Sequence, residues 1–312
     1  MSIDRRRFVT ASALVGACAM GASPAAMTGT ATCAEPFSRS GDPRFRLGLA
    51  AYSLRDYFSF MKGKRREPKD KSRAIDMVGF LDYCAANQFE AAELTSYFFR
   101  PDANDAYLLE LKRQAFLKGV TISGTAIGNN FTRGAGEQLD REIESAITWI
   151  DRAAVLGAPH IRFFAGTGRE LENHPERMSE AIEAIQRCAQ HAAGKGIFLG
   201  IENHGNLRPE QLLKIIHEVD HPWVGINLDT GNFLSDDPYA DLEQCVPYAV
   251  NVQVKASMKN ASGKKYPADL DRIAGILRDG NFQGFVVLEY EDEEPYENIP
   301  KLTESLRKSL GV

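Results

Sequence analysis

The feature that most constrains the fold is the regular alternation of short apolar runs with longer amphipathic segments. Runs such as 197–202 (IFLGIE) and 284–289 (GFVVLE) are apolar on both faces, which is typical of strands buried in a parallel sheet. The segments between the runs carry apolar residues at three- and four-residue steps, which is typical of helices that pack one face against a sheet. We predict strands at 46–52, 89–95, 120–126, 160–165, 197–202, 223–229, 249–255 and 284–289, and helices at about 74–87, 104–118, 138–156, 175–194, 208–219, 239–247, 269–279 and 297–309.

Eight strand–helix units in strict alternation favour an α/β fold with one closed (β/α)8 TIM barrel over residues 46–312. An open dinucleotide-binding sheet would need a GxGxxG turn after its first strand. Here Ser53-Leu54-Arg55-Asp56 follows that strand instead. In a barrel of this kind the chemistry lies at the carboxyl ends of the strands, so polar residues at those ends are the candidate functional residues.

Four polar residues end four successive apolar runs in the second half of the chain: Glu202, Asp229, Gln253 and Glu289. The gaps of 27, 24 and 36 residues each fit one strand–helix–strand unit. The barrel would therefore bring three carboxylates and an amide together. Because clustered buried carboxylates need a counter-charge, this set indicates a divalent metal site.

These residues lie in short motifs that resemble the xylose isomerase-like TIM-barrel superfamily of sugar isomerases, epimerases and dehydratases. The motifs are Glu202-Asn203-His204, Leu228-Asp229-Thr230-Gly231-Asn232, Gln253-Val254-Lys255 and Leu288-Glu289-Tyr290. The resemblance implies that Glu202, Asp229, Gln253 and Glu289 hold one metal ion. The family usually has histidine where Gln253 stands, and the resulting all-oxygen set favours Mn or Mg over Zn.

Six further residues are candidates for substrate binding because they end strands or lie next to the motifs. They are His204, Asn232, Lys255, Glu93, Arg162 and Tyr52. Lys255 lies two residues after Gln253 and therefore on the same face of its strand. The remaining histidines, at 160, 174, 191, 217 and 221, are expected at the surface or at helix edges.

The expected activity is that of an isomerase or epimerase acting on a sugar or sugar derivative. Glu202 and Glu289 would exchange a proton next to a carbonyl as base and acid. The same first step leads to a lyase or dehydratase on a keto-sugar, keto-glycoside or inosose if a leaving group is present. Epimerases of the family commonly carry a further glutamate where Arg208 stands, which disfavours ketose 3-epimerisation.

Two other function classes remain as alternatives. The glutamine at 253 is compatible with a non-catalytic sugar-binding barrel. An abasic-site endonuclease is disfavoured because its resemblance implies a histidine-rich zinc site, whereas this chain has six histidines and a net charge of −5. We therefore expect a small carbohydrate as the partner and no nucleic acid; an oligomer is possible.

The N-terminal residues 1–34 read as an export signal, with a cationic start, an apolar middle and a small-residue end. Arg5-Arg6-Arg7 followed by Phe8-Val9 resembles a twin-arginine signal, which predicts an exported, periplasmic protein. Residues 35–45 are polar and read as a linker. No apolar run after residue 40 is long enough to predict insertion of the mature chain into a membrane.

The three cysteines outside the predicted signal, Cys84, Cys188 and Cys245, have no CxxC spacing. They predict neither a disulfide framework nor a zinc cluster. All three are expected as small buried apolar residues in helices.

Overall fold

The eight predicted strands form one closed barrel in a computed structural model that describes residues 34–312. Every neighbouring pair is parallel, and the ring closes where the first strand pairs with both the second and the eighth. The predicted (β/α)8 TIM barrel is therefore confirmed. In chain order the strands are β1 Arg44–Ala50, β2 Ala91–Thr95, β3 Thr121–Ala126, β4 His160–Phe163, β5 Phe198–Glu202, β6 Val224–Asp229, β7 Ala249–Val254 and β8 Gln283–Leu288.

Helices surround the barrel and contribute apolar side chains to its core. Polar side chains cap several helix starts, such as Asp76 and Asn104, and the two longest helices end at the left-handed glycines Gly157 and Gly196. The helices are α1 Met77–Ala86, α2 Asp105–Leu117, α3 Glu137–Leu156, α4 Gly168–Asn173, α5 Glu176–Lys195, α6 Pro209–Val219, α7 Pro238–Cys245, α8 Leu270–Asp279 and α9 Pro295–Leu310.

The structure adds elements that the sequence pattern did not predict. The short helix α4 lies in the loop after β4. A two-stranded hairpin, Phe60–Met61 with Lys64–Arg65, lies in the loop after β1. Three small strands, Leu234–Ser235, Ser257–Asn260 and Lys265–Pro267, join the loops after β6 and β7. All of these loops follow the carboxyl ends of strands and so enclose the mouth of the barrel.

The segment at 35–43 has no helix or strand, and β1 begins at Arg44, two residues before its predicted start. The segment lies against the amino ends of the strands. The Phe37 amide donates to the carbonyl of Pro247, and the Phe37 ring packs edge-on against Phe198 at the start of β5. The predicted signal, residues 1–34, lies outside the described residues apart from Ala34.

The interior is a continuous apolar core that includes the three cysteines. Cys84, Cys188 and Cys245 are buried, as predicted, and each is a free thiol. Among residues 34–312, no helix combines the length and the hydropathy that a membrane span requires.

Truncation of a β1 core side chain tests the closure of the barrel. Leu49 is fully buried in the strand that closes the ring. We expect Leu49→Ala to lower the free energy of unfolding by about 2–5 kcal/mol, since it leaves a cavity that the rigid barrel cannot fill. Leu109 on α2 is 52% exposed, and Leu109→Ala should cost less than about 1 kcal/mol. Urea denaturation followed by circular dichroism measures both, and equal losses would contradict this packing.

Candidate functional site

The barrel brings the predicted polar residues together at its mouth. Glu202 and Asp229 are the last residues of β5 and β6, and Glu289 directly follows β8. Gln253 lies one residue before the end of β7, opposite Asp229. All four side chains are buried, so the electrostatic environment of each is set by protein groups.

One buried ion pair holds Glu202. The Nε of Arg162 lies 2.8 Å from Oε2 of Glu202. A terminal nitrogen of the same guanidinium donates to the carbonyl of Ile127 at 2.7 Å and to the hydroxyl of Tyr97 at 3.3 Å. Arg162 comes from β4 and Glu202 from the neighbouring β5. The arginine is therefore fixed from three sides with its charge directed at the glutamate.

A second buried cation lies close to the other carboxyl groups of the cluster. The ammonium of Lys255, just after β7, lies 3.1 Å from Oδ2 of Asp229 and 3.5 Å from Oε2 of Glu289. It also lies 3.1 Å from Oε2 of Glu291, two residues beyond Glu289. Glu291 was not among the predicted site residues. Its two-residue spacing from Glu289 was a signal that could have indicated it.

Gln253 belongs to a row of buried hydrogen bonds inside the barrel. The amide of Asn251 donates to Oδ1 of Asn227 at 2.8 Å, and the amide of Asn227 donates to Oε1 of Gln253 at 2.6 Å. The amide nitrogen of Gln253 then donates to Oε1 of Glu93 at 3.1 Å. Asn227 and Asn251 were missed by the sequence analysis. Each lies two residues before a predicted site residue and so on the same strand face, which is the signal that could have found it.

The remaining candidates lie at or near the rim. The amide of Asn232 donates to Oε1 of Glu202 at 2.9 Å, and its oxygen accepts from the Lys255 ammonium at 3.2 Å. The His204 ring is exposed and stacks on Phe164 with 4.1 Å between centroids. The Tyr52 ring packs against the rings of Tyr97 and Phe98.

A segment after β5 fixes the spacing of the first two carboxylates. The side-chain amide of Asn203 donates to the carbonyl of Asp229, and its oxygen accepts from the Asp229 amide, both at 2.8 Å. The amide of Gly231 donates to Oδ1 of Asp229 at 2.8 Å. The Asn203 side chain therefore acts like one more step of sheet pairing and holds the ends of β5 and β6 together.

Burial raises the pKa values of the carboxyl groups in the cluster. The pKa of Glu202 rises to about 7 because burial outweighs the attraction of Arg162. Burial likewise raises the pKa of Glu93 to about 7, against the opposing charge of Arg162. The pKa of Asp229 is raised, and that of Glu289 is raised well above its usual value, again chiefly by burial. The cluster therefore contains carboxyl groups that bind a proton more tightly than exposed ones do, a property that acid–base catalysis near neutral pH can use.

The surroundings shift the pKa values of Lys255 and His204 in opposite directions. Burial alone would lower the pKa of Lys255, but Asp229, Glu289 and Glu291 raise it well above its usual value. Burial of one face, followed by the charges of Arg162 and Lys255, lowers the pKa of His204. At neutral pH the lysine is therefore a cation and the histidine is neutral.

The expectation that His160 lies at the surface was wrong. The residue is buried inside the barrel on β4, two residues before Arg162, and burial lowers its pKa to about 3. Gly124 and Gly200 on the two neighbouring strands leave room for the ring, since a Cβ at either would lie within 2.7 Å of a ring nitrogen. The two-residue spacing places His160 and Arg162 on the same inward face.

A sequence profile of the family described as xylose isomerase-like TIM barrel matches residues 81–310. The chain belongs to this family. It is 23% identical over 238 residues to the 3-dehydroshikimate dehydratase of Bacillus anthracis. The aligned region covers 73% of this chain and 82% of the dehydratase.

Solved structures show the same fold at low identity. D-psicose 3-epimerase with D-tagatose from Clostridium cellulolyticum H10 superimposes with a TM-score of 0.67 at 15% identity, over 85% of this chain and 99% of the epimerase. A xylose isomerase-like TIM-barrel protein from Mycobacterium smegmatis in complex with magnesium gives 0.61 at 19% identity, over 86% of this chain and 98% of that protein. The proteins that this chain resembles thus include an epimerase, a dehydratase and a magnesium-bound TIM-barrel protein.

The side chains of this barrel do not fit a divalent ion as they are arranged. The oxygen of Gln253 already accepts a hydrogen bond from Asn227, and the Lys255 ammonium lies among the oxygens of Asp229 and Glu289. Within residues 34–312, no three His, Cys, Asp or Glu side chains are placed to hold a metal ion. The predicted set of Glu202, Asp229, Gln253 and Glu289 is therefore brought to one end of the barrel but not into a coordination shell.

A double-mutant cycle tests the Arg162–Glu202 pair. We expect Arg162→Met to lower the free energy of unfolding by about 3–5 kcal/mol at pH 8, because it leaves a buried carboxylate unpaired. Adding Glu202→Gln should recover part of that loss, giving a coupling energy of about 1–3 kcal/mol by urea denaturation. The control is the exposed pair Arg141–Glu137 on α3, which should couple by less than about 0.5 kcal/mol. Equal coupling in the two pairs would contradict the buried geometry.

The raised pKa of Glu93 predicts a pH dependence of stability. Its carboxyl binds a proton more tightly folded, with a pKa of about 7, than unfolded, at 4.5. This contribution is complete below pH 4.5 and is lost as the pH rises through 7, a change of up to about 3 kcal/mol. Glu93→Gln removes it, so the variant should gain stability relative to the wild type between pH 5 and pH 8.

Chemical unfolding at a series of pH values measures this difference. Glu304→Gln, at an exposed position on α9, is the matched control and should follow the wild-type curve. A Glu93→Gln curve parallel to that of the wild type would show that Glu93 does not titrate in this range.

Proposed function

We propose that the protein isomerises or epimerises a sugar or sugar derivative by moving a proton on a carbon next to a carbonyl group. The observation that supports this most directly is the pair of buried glutamates, Glu202 and Glu289, at the ends of strands three places apart in an eight-stranded ring. Each lies beside its own buried cation, Arg162 or Lys255. A substrate between them would present opposite faces to the two carboxyl groups.

The acid–base roles follow from the environments of the two glutamates. With its pKa near 7, Glu202 can accept a proton at neutral pH, and burial raises the pKa of Glu289 well above its usual value, which suits that group to act as the acid. Glu202 would take the proton from carbon, and the C–H electron pair would move onto the carbonyl oxygen. The Lys255 ammonium would stabilise that oxyanion.

The fate of the carbanion decides the product. Return of a proton from Glu289 to the opposite face of the same carbon gives an epimer. Its delivery to the former carbonyl carbon gives an aldose–ketose isomer, provided that the proton of the neighbouring hydroxyl moves to the former carbonyl oxygen. In each case one carboxyl gains a proton and the other loses one, so exchange with solvent restores the starting state. Deuterium from solvent should therefore appear at carbon in the product.

A cleft in the surface borders two of the residues that hold Arg162 in place. It has a volume of about 290 Å³ and is lined partly by Tyr97, Ile127 and Trp149. Tyr97 and Ile127 are also the residues that accept hydrogen bonds from Arg162. Aromatic and polar groups in one cleft suit a carbohydrate, whose ring has both apolar faces and hydroxyl groups.

A dehydratase is the second candidate, favoured by the similarity to the 3-dehydroshikimate dehydratase. Its first step is the same proton abstraction, followed by loss of a group from the adjacent carbon. Ketose 3-epimerisation is less well supported. The Arg208 side chain, where such epimerases commonly carry glutamate, pairs with Glu172 and Glu210 at the surface.

Incubation with ketoses, aldoses, uronates and 3-keto-glycosides in deuterated water tests the proposal, with and without added Mn²⁺ or Mg²⁺. NMR should show deuterium at one carbon of a turned-over substrate. Glu202→Gln and Glu289→Gln should each lower the rate by about 10²–10⁴-fold, because each removes one proton-transfer group. Glu293→Gln, at an exposed position four residues after Glu289, should leave the rate unchanged.

Two results would contradict the proposal. Binding of a sugar with no deuterium incorporation from any substrate would favour the non-catalytic sugar-binding barrel. An unsaturated product that lacks the leaving group would favour the dehydratase.

A further inference from the structure

Lys255 is surrounded by oxygen atoms in the way that a bound cation would be. Its ammonium lies within 3.1–3.5 Å of carboxylate oxygens from Asp229, Glu289 and Glu291, and 3.2 Å from the amide oxygen of Asn232. These oxygens come from the end of β6 and from the loops that follow β6 and β8. Two of these residues, Asp229 and Glu289, belong to the set predicted to hold a divalent ion.

The backbone beside the lysine is shaped to receive its stem. A Cβ on Gly231 would lie 2.8 Å from Cδ of Lys255 and 3.1 Å from its Cβ, so only glycine leaves this space free. The backbone amide of Lys255 donates to the hydroxyl of Thr230 at 3.1 Å. Thr230, Gly231 and Asn232 therefore form a cradle for the lysine directly after Asp229.

Gln253 is engaged in a way that opposes metal binding. Its oxygen accepts from Asn227, and its nitrogen donates to Glu93. Turning the oxygen toward an ion would leave the buried amide of Asn227 without an acceptor, at a cost of about 1–3 kcal/mol. The residue that stands in the place of the family's histidine is thus committed to the row of amides inside the barrel.

We propose that Lys255 takes the place of the divalent cation, so that its ammonium is the resident positive charge of this site and no metal binds at Asp229 and Glu289. Mg²⁺ or Mn²⁺ would have to lie at about 2.0–2.2 Å from the same oxygens, next to the ammonium and repelled by it. The inference goes beyond the proposed function, since it holds for a catalyst and for a sugar-binding barrel alike. Any activity of the wild type should survive prolonged treatment with EDTA.

Electron paramagnetic resonance of Mn²⁺ tests the proposal without an activity assay. Mn²⁺ is mixed with an equimolar amount of metal-stripped protein, and the signal of free aqueous Mn²⁺ is measured. The wild-type protein should leave this signal undiminished. Lys255→Met keeps most of the stem and removes the charge, so this variant should diminish the signal by binding one Mn²⁺. Lys264→Met, at an exposed lysine in the loop after β7, is the matched control and should behave as the wild type.

Thermal unfolding supplies a second readout. Lys255→Met should melt at a lower temperature than the wild type and should recover part of the loss when Mn²⁺ is added, whereas the wild type should show no shift. If the wild type binds one Mn²⁺ and Asp229→Asn does not, the inference is overturned. This outcome can be measured even if Lys255→Met does not fold. A folded Lys255→Met that gains no Mn²⁺ would overturn it as well.

The two proposals fail separately. Absence of deuterium incorporation would remove the proposed reaction and leave the role of Lys255 intact. Mn²⁺ binding by the wild type that depends on Asp229 would rule out the proposed role of Lys255. Deuterium incorporation would then still test proton transfer by the glutamates.

Discussion

The structure of the site depends on the burial of four carboxyl groups, Glu93, Glu202, Asp229 and Glu289. Within residues 34–312 the buried lysine and arginine side chains that balance them are Arg162 and Lys255. Water cannot stabilise the surplus charge, so protons and hydrogen bonds must. This explains why burial raises the pKa of each of these carboxyl groups. It also explains why so many amide side chains line the same end of the barrel.

The parallel barrel makes this crowding possible. Every strand ends at the same side, so one polar residue at each of several strand ends is enough to build the cluster. Asn203 and the cradle of Thr230, Gly231 and Asn232 then fix the distances, because they link neighbouring strand ends by hydrogen bonds. The rigid apolar core below holds these ends in place.

Much of this arrangement could be predicted from the sequence. The alternation of buried runs and amphipathic segments predicted the barrel, and the polar residues that end the runs predicted which side chains would meet. The pairing of charges could not be predicted, because it depends on side-chain directions at the mouth. Lys255 could equally have faced solvent, and the inward position of His160 depends on two glycines, Gly124 and Gly200, that are distant in the chain. Glu291 lies in a loop, where no periodic pattern indicates which way a side chain points.

The row of amides from Asn251 through Asn227 to Gln253 has one direction, since each nitrogen donates to the next oxygen until the last reaches Glu93. Reversing any single amide would set two donors or two acceptors against each other, so the row can change only as a whole. The orientation of the Gln253 side chain at the mouth therefore depends on that of Asn251, which lies near the start of β7 on the floor of the barrel. A residue far from solvent thus fixes how the upper rim presents its polar atoms.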